Sequence, residues 1–452
     1  MKIGLAKVDI TPRVGVELCG FGPYLNRRST GVRDRLWARA MAIRQGDKTL
    51  VLVSNDLIGV SPDITTAVRR LVRDATGIEE DAVMVHCIHT HSGPLTDRML
   101  FGWAVLDEPY VAILPYRIAG ACIQAVANLT EATLGHAKVP CEGIALNREY
   151  DVDAPPLDEV LRDDWRPAKP ELTDTTCHVL TVKAQGKLIG FASYFGCHPV
   201  VCCQETHQIH GDYAGVATNM LEREYPGAVG LFLQGAQGDV NTCVVHKPDL
   251  ESMLALDIIA ARYANAVRAG LAQAQPLPVD ALKSVRRPCC PSRIDLNEAG
   301  LRSWLAENEA IIAAADASDS SHNVRMATVY LLALRRVLEK VRRGESVAEP
   351  TELQAFGIGP LVLFGTPFEI FQAVKNEFIG ASRVPIPLLL GITNDGQGYV
   401  PDHVAAARGG YASQVVPLMK GSLPFADAHG ELVQALREME EALLTSPVSA
   451  SR

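Results

Sequence analysis

The 452-residue chain lacks the features that would suit it to bind nucleic acid or to cross a membrane. Its Lys and Arg residues total 43 against 52 Asp and Glu, so a formal charge of −9 leaves no basic excess to neutralise a phosphate backbone. Its longest apolar stretches, such as 386–392, are strand-sized and fall short of the roughly 20 residues that a membrane-spanning helix needs. We therefore expect a small-molecule substrate, no nucleic-acid partner and no transmembrane segment.

The sequence predicts neither a secretory leader nor a disulfide framework. Its first residues, MKIGLAKVDITP, alternate like a strand and have neither the apolar region nor the cleavage site of a signal peptide. Eleven cysteines are an odd number, and they are scattered along the chain. We expect a cytoplasmic protein whose cysteines are mostly reduced and buried.

Strand-like and helix-like segments alternate over the first 280 residues, which predicts an α/β fold of mixed sheets flanked by helices. Apolar runs of strand length alternate with segments in which apolar residues recur at helical spacing, and one glycine turn predicts a hairpin. The predicted strands are 49–54, 81–88, 178–182, 188–195 and 229–234, and the predicted helices are 62–75, 109–129 and 212–224.

The pattern changes near Pro276. Two long helical patterns, 297–315 and 322–343, are joined by the polar stretch DASDSS and predict a helical hairpin inserted at about 290–348. Strand patterns resume at 353–358 and 361–365, followed by a helix from Pro367 and a strand at 387–393. We expect one domain over 1–452, and homo-oligomerisation stays open.

The stretch VMVHCIHTHSGP, residues 83–94, carries the most chemical information. His89 and His91 are two residues apart, so both imidazoles face one side if the chain is still extended there. They follow a strand, and open α/β sheets bind ligands at the carboxyl ends of their strands. Loop histidines without a ligand are the alternative, and His86, inside the strand, is interpreted as a core residue.

Two further strands end in polar residues. One delivers His198 just before Pro199, and another runs into a glycine turn, 235–241, that exposes Asp239 and Asn241. Both can be structural turns, because a lone GxxG does not establish phosphate binding. Two other metal sites stay open, one from His207 with His210 and one from cysteines near His198, namely Cys197, Cys202 and Cys203.

Two late segments add an acid and two phenols. In FGTPFE, Pro367 suits the first helical position, so Glu369 is predicted in the first turn of a helix, where a carboxylate complements the helix dipole. In residues 394–411, glycines flank Tyr399 and Tyr411. The residues alone therefore predict several strand ends that carry His, Glu and Tyr.

Taken in order, these segments resemble the neutral/alkaline non-lysosomal ceramidase family, whose members are zinc amidases that cleave an N-acyl bond. The resemblance covers nearly the whole length. It rests on GLAKVDIT at 4–11, RDRLWARA at 33–40, HTHSGP at 89–94, Asn147-Arg148, the His198 segment, GDV at 238–240, the Glu369 segment and the Tyr399–Tyr411 segment.

The resemblance implies a set of metal ligands and a pocket beside them. It makes zinc the cofactor, with ligands His89, His198, Glu369 and Tyr399, and imidazole, carboxylate and phenol oxygen suit this borderline ion. It places His91 and Arg148 in the pocket and Tyr411 close to the reacting carbonyl. Zinc would then activate a water molecule and polarise the carbonyl, while a neighbouring His or Tyr moves protons.

The chain departs from the family at the glycine turn. Where the family reads Gly-Asp-Val-Ser-Pro-Asn, this chain reads Gly238-Asp-Val-Asn-Thr-Cys243, so Asn241 replaces the serine implicated in ceramide hydrolysis. Asn241 can hold a substrate or water by hydrogen bonds. Full ceramidases also carry a C-terminal immunoglobulin-like domain, and we expect this chain to be without one. We therefore expect a zinc-dependent amide hydrolase for a substrate smaller or more polar than ceramide. The alternatives are cleavage of an ester, lactone or glycosidic bond, and a catalytically silent binding protein.

Overall fold

The structure, a computed structural model, describes residues 1–98, 102–152, 155–348 and 350–445. The strands of this part of the chain are β1 (Lys2–Asp9), β2 (Gly31–Val32), β3 (Trp37–Gln45), β4 (Lys48–Asn55), β5 (Val83–Cys87), β6 (Thr130–Glu131), β7 (Thr133–Pro140), β8 (Ala145–Asn147), β9 (Thr176–Ala184), β10 (Lys187–Phe195), β11 (Gln208–Ile209), β12 (Val229–Gln234), β13 (Val240–Thr242), β14 (Gln275–Pro276), β15 (Leu282–Cys289), β16 (Thr351–Ile358), β17 (Leu361–Gly365), β18 (Phe368–Ile370), β19 (Ile386–Leu390) and β20 (Gly398–Val400).

The helices lie between these strands and at the end of the described chain. They are α1 (Pro62–Thr76), α2 (Glu108–Ala127), α3 (Leu157–Val160), α4 (Asp212–Glu224), α5 (Asp249–Gln273), α6 (Glu298–Ala313), α7 (His322–Arg342), α8 (Gln372–Ala381), α9 (His403–Arg408), α10 (Val416–Met419) and α11 (Ala428–Thr445). A π-helical turn, Tyr411–Val415, precedes α10.

Three mixed sheets form the framework. Their strand orders are β5-β4-β3-β1-β6, β12-β10-β9-β7-β14 and β15-β16-β17-β19. Each sheet contains one parallel pair, which is β4 with β5, β10 with β12, and β17 with β19, and its other pairings are antiparallel. Chain segments leaving the carboxyl ends of these parallel pairs build the site described below, as the general rule for α/β sheets leads one to expect.

Helices cover the sheets and complete the core. The pair α1 and α2 packs on the first sheet, α4 and α5 pack on the second, and α11 packs on the third. The strand β12 also contacts β3 and β4, so the first two sheets share a hydrophobic core that includes Val53, Leu231 and Leu233. This shared core fixes the relative positions of the strand ends.

One helix, α2, is long and apolar enough to cross a membrane by length and composition alone. Half of it is buried against α1 and the first sheet, with Leu114, Ile118 and Ala121 in the core. A core helix passes the same composition test, and the expected absence of a transmembrane segment stays a prediction.

The α/β class predicted from the sequence is confirmed, and so is the helical excursion. The predicted hairpin forms between β9 and β10, and α6 packs on α7 as a helical pair near 297–343. All eleven cysteines, each in the described part, are free, and only Cys289 and Cys290 are not buried. The single domain over 1–452 stays a prediction, and its residues 446–452 lie outside the described part.

The helix predicted from Pro367 is wrong. Phe368–Ile370 is extended and pairs in parallel with Gly398–Val400, and the helix α8 begins only at Gln372. Phe368 and Ile370 are fully buried, so tertiary packing selects the extended conformation over the local proline signal. Glu369 is therefore a strand residue and not a carboxylate that caps a helix.

Candidate functional site

His89 lies just beyond β5, where the chain leaves the extended conformation. Its φ is +71°, a left-handed value that costs energy in a residue other than glycine and tends to occur where function requires it. The ring Nδ1 lies 2.7 Å from the carbonyl oxygen of Ile58, so it carries the hydrogen and donates it. This bond leaves the Nε2 lone pair of His89 facing the site.

His198 is held in the same manner from the second sheet. It follows β10, and its Nδ1 hydrogen bonds to the carbonyl oxygen of Gln237 in the glycine turn after β12. The Nε2 of His198 lies 2.9 Å from Oε2 of Glu369, and the Nε2 of His89 lies 3.3 Å from the same oxygen. Two imidazole nitrogens therefore converge on one carboxylate oxygen.

The two-stranded sheet of β18 and β20 supplies the carboxylate and a phenol. Glu369 and Tyr399 are register partners in this parallel pair, so their side chains leave the sheet together. The Tyr399 hydroxyl donates to Glu369 and accepts from Arg148. Burial, and then the charge of Glu369, raises the pKa of the Tyr399 hydroxyl well above its usual value.

The hydrogen-bonding roles at this point require a positive charge. Because the Nδ1 atoms of His89 and His198 donate to carbonyls, both Nε2 atoms are acceptors, and they face the carboxylate of Glu369, which is also an acceptor. Burial lowers the pKa of His198 to about 4, so a proton on this ring is disfavoured near neutral pH. A metal cation between the three groups satisfies them all.

His91 lies beside this cluster, and both its ring nitrogens are shielded from solvent without a hydrogen-bond partner among the described residues. Its ring centroid is 4.9 Å from that of His89 and 5.8 Å from that of His198. The three histidines can offer nitrogens within 4.8 Å of one another. Burial first, and the neighbouring imidazoles next, lower the pKa of His91 well below its usual value.

Gly20 provides the space for the His91 ring. Its φ is +125°, and a β carbon at this position would stand 2.4 Å from Cγ of His91. Only glycine permits this approach, because any side chain would both strain the backbone and displace the ring.

A cavity of about 460 Å³ opens over the cluster. It is lined by the remaining residues that the sequence analysis singled out, namely Arg148, Asn241 and Tyr411. Arg148 donates to the carbonyl oxygen of Gly238 and stacks 5.1 Å from the ring centroid of Tyr399 and 5.9 Å from that of Tyr411. The structure thus brings all eight sequence-predicted site residues to one place.

The alternative metal sites do not form as the sequence proposed them. His207 hydrogen bonds to the carbonyl oxygen of Arg28, away from the buried His210. A different trio, Cys202, His210 and Asp212, has ligand atoms within 4.8 Å of one another. The Asp212 carboxylate already accepts from the backbone N–H groups of Val201, Cys202 and Tyr213, so it serves to clamp this loop.

Sequence reasoning missed the residues that frame the cavity. Phe21 contacts the edge of His91 at a centroid distance of 5.1 Å, and α6 and α7 contribute Asn308 and Tyr330 to the wall. The glycine-rich stretch at 20–23, GFGP, was a signal for a close backbone approach. No local pattern indicated which face of the helical pair would meet the site.

Comparison with known proteins gives a consistent result. Residues 1–250 match the family model described as neutral/alkaline non-lysosomal ceramidase, N-terminal. The neutral ceramidase of Pseudomonas aeruginosa is 28% identical over 261 residues, which span 55% of this chain and 38% of that relative. The chain thus matches well under half the length of this curated relative.

Solved structures extend the likeness of fold beyond residue 250. The crystal structure of the neutral ceramidase from Pseudomonas aeruginosa has a TM-score of 0.74 and 21% identity, covering 100% of this chain and 76% of that one. A ceramidase complexed with C2 has a TM-score of 0.75 and 20% identity, with the same coverage. Two of the four candidate metal ligands, His89 and His198, lie within the segment that matches the family model. The chain belongs to the neutral/alkaline non-lysosomal ceramidase family.

Proposed function

We propose that the protein is a zinc-dependent hydrolase that cleaves an amide (N-acyl) bond in a substrate smaller or more polar than ceramide. The observation that carries the proposal is the convergence of His89 Nε2 and His198 Nε2 on the Glu369 carboxylate. Beside them, His91 has two ring nitrogens without a partner in the described part of the chain. Family membership supports the choice of an amide bond.

The donors fit zinc. His89, His198, Glu369 and Tyr399 would hold the ion, and two neutral imidazoles, a carboxylate and a phenol oxygen suit its borderline character. The carbonyls of Ile58 and Gln237 fix both rings in the tautomer that a metal ligand needs. Bound there, zinc would polarise the substrate carbonyl and lower the pKa of water towards neutrality.

The residues around the cluster would divide the remaining chemistry between them. A ring nitrogen of His91 takes a proton from the attacking water and returns it to the nitrogen of the leaving amine as the C–N bond breaks. Arg148 donates hydrogen bonds to the developing oxyanion, and Tyr411 lies on the same side of the cavity for the same purpose. The products are a carboxylate and a free amine.

Asn241 bears on the mechanism because its amide is no nucleophile. It lies on β13 and lines the cavity, where it can hold the substrate by hydrogen bonds. Attack by water therefore fits this chain better than attack by a side chain at this position. Its replacement of the family serine also supports a substrate other than ceramide.

The experiment measures zinc content by elemental mass spectrometry and screens N-acyl amides, esters, lactones and glycosides as substrates. We expect about one zinc per chain and turnover of amides first. Turnover confined to esters, lactones or glycosides would replace the amide assignment. One zinc per chain without turnover of any class would identify a silent binding protein, and a well-folded protein that takes up no zinc would overturn the site. The cytoplasmic location stays a separate prediction.

A further inference from the structure

The cavity has two chambers that meet at the candidate metal cluster. The large chamber of about 460 Å³ and a small chamber of about 90 Å³ are both lined by Gly20, His91, Trp103, Tyr399 and Tyr411. The reacting bond must lie at this junction, so the two halves of a substrate enter different chambers.

The small chamber suits the acyl half. Ile58, Val60 and Met419 give it an apolar lining, and an ion pair between Asp97 and Lys420, 3.0 Å apart, stands in its wall. Its volume of about 90 Å³ is about a fifth of the 460 Å³ of the large chamber, so it suits the smaller half of the substrate, a short acyl group. The leaving amine then occupies the large chamber.

The charge that lines the large chamber is positive. Among the described residues that line it there is no aspartate or glutamate. Its polar side chains are cationic, imidazole, amide, phenol or indole groups, and beyond the metal cluster and His91 the nitrogen-bearing ones include Arg148, Asn241, His246, Asn308, His322 and Asn323. An ammonium group would find no carboxylate partner there, whereas an anion would find several donors.

Arg148 gives this chamber its fixed positive charge. Within the described chain it forms no ion pair, since its guanidinium donates to the carbonyl of Gly238 and the hydroxyl of Tyr399. The Glu369 carboxylate, whose charge acts on Arg148, is shared with His89 and His198. A half-buried guanidinium without its own carboxylate favours an anionic ligand, because pairing offsets the cost of its desolvation.

The first turn of α7 adds to the same field. His322 and Asn323, at the start of this helix, line the chamber and are exposed to it. The first turn of α7 contains no acidic residue, and its capping residue Ser321 makes no side-chain capping hydrogen bond. The partial positive charge of this helix end therefore faces the chamber without an acidic neighbour in the same turn.

We propose that the leaving amine carries an anionic group, so that the preferred substrates are short-chain N-acyl amino acids and similar N-acyl acids. This inference rests on the proposed amide hydrolysis. Hydrolysis consumes one water, breaks the C–N bond and releases a short carboxylate and a free amino acid. The anion lies between Arg148 and the first turn of α7 in the large chamber.

The first experiment compares three butanoyl amides that differ only in the end group of the amine. These are butanoylglycine with a carboxylate, butanoyl ethanolamine with a hydroxyl and butanoyl ethylenediamine with an ammonium. We expect kcat/KM to be about tenfold higher for the carboxylate amide than for the hydroxyl amide, and lowest for the ammonium amide. The differences in kcat/KM between the three amides should shrink at high salt.

The second experiment introduces a negative charge into the wall of the large chamber. Asn323→Asp places a carboxylate in the first turn of α7, where the helix dipole tolerates it, so the fold is retained. In the variant, kcat/KM for butanoylglycine should fall about tenfold more than kcat/KM for the hydroxyl amide. Ser320→Asp adds the same charge just before the helix but outside the cavity lining, and should change neither rate.

A binding measurement keeps the inference independent of turnover. Calorimetry on protein stripped of metal should show tighter binding of butanoylglycine than of butanoyl ethanolamine, and this preference should disappear in Asn323→Asp. Equal rates and equal binding for the three amides would overturn the charge assignment while leaving amide hydrolysis intact. Absence of turnover for all amides, with turnover of esters or lactones, would instead remove the proposed function on which it rests.

Discussion

Glu369 and Tyr399 are register partners in a two-stranded parallel sheet, and the Tyr399 hydroxyl donates to the Glu369 carboxylate. The same carboxylate meets His89 from the first sheet and His198 from the second. A carboxylate and a phenol that are fixed on adjacent backbones need little rearrangement to bind a cation, which lowers the entropy cost of forming the site.

The first prediction concerns Glu369. Glu369→Gln replaces a charged ligand with a neutral amide of the same shape, so zinc content should fall from about one per chain to a small fraction, and amide turnover should fall by at least about a hundredfold. Elemental mass spectrometry and a rate assay check this. The control is Glu377→Gln, which alters a half-exposed carboxylate on α8 that is paired with His429. This variant should retain its zinc content and its amide turnover. Full zinc content in Glu369→Gln would contradict the ligand set.

The second prediction concerns the space that Gly20 leaves for His91. Gly20→Ala should displace the His91 ring, and a shift of about 1 Å at a catalytic group can cost a hundredfold in rate. Gly15→Ala is a matched control, because Gly15 also has a positive φ, +97°, but its added methyl would meet nothing within 4 Å. We expect a loss of stability in both variants, larger in Gly20→Ala because its methyl group meets the His91 ring, and a loss of kcat/KM only in Gly20→Ala. Equal rates would show that His91 does not act.

The third prediction concerns a buried network of charged groups between the first sheet and α4. Arg39 binds both carboxylate oxygens of Asp56, lies 3.1 Å from Glu222 and donates to Asn219. Arg39→Ala leaves the buried Asp56 carboxylate without its cation, while Glu222 keeps its ion pair with Lys7. The variant should lower the free energy of unfolding by about 3–5 kcal/mol. Urea unfolding measures it, with Arg35→Ala, which breaks a solvent-exposed pair with Asp9, as a control that should change little.

The fourth prediction concerns pH. His86 accepts from the N–H of Gln234 at Nε2 and contacts the Thr393 hydroxyl at Nδ1, and burial lowers its pKa from 6.5 to about 3. Because the folded-state pKa is depressed, the stabilisation from neutral His86 is complete above pH 6.5 and is lost as the pH falls towards 3. At pH 5 the loss is about 2 kcal/mol.

His86→Gln removes this titration. The variant should be less stable than the parent at pH 7.5, and the gap between the two unfolding free energies should narrow by about 2 kcal/mol at pH 5. The difference in unfolding free energy between variant and parent removes the contributions of the other titrating groups, because both proteins share them. These groups include Asp212 and Asp239, whose pKa burial raises to about 6. His322→Gln, at an exposed ring, is the control. A gap that is constant with pH would contradict the prediction.

Much of the fold was predictable because its signals are local. The strands 49–54 and 229–234 and the helix 212–224 have apolar spacing that a short window reveals, and each forms in the structure. The interpretation of His86 as a core residue is also correct, since both its ring nitrogens have partners within the fold.

The failure at Pro367 shows the limit of such signals. A proline followed by a glutamate indicates a helix start, but the buried neighbours Phe368 and Ile370 and the partner strand β20 determine an extended segment. His89 is a similar case. Its ring lies near that of His91 because His89 has a left-handed backbone conformation, whereas the sequence predicted that an extended strand would place both rings on one side. In both places contacts distant in sequence outweigh the local preference.

By itself, the sequence determined the alternation of strands and helices, the positions of the histidines at strand ends and the helical pair near 297–343, because hydrophobic periodicity acts over a few residues. The tertiary structure alone decided that Glu369 and Tyr399 pair, that no described residue hydrogen bonds to the ring nitrogens of His91, and that the first turn of α7 faces the cavity. Those features depend on how three sheets and their covering helices pack together. Packing is a property of the whole chain, and no window of the sequence contains it.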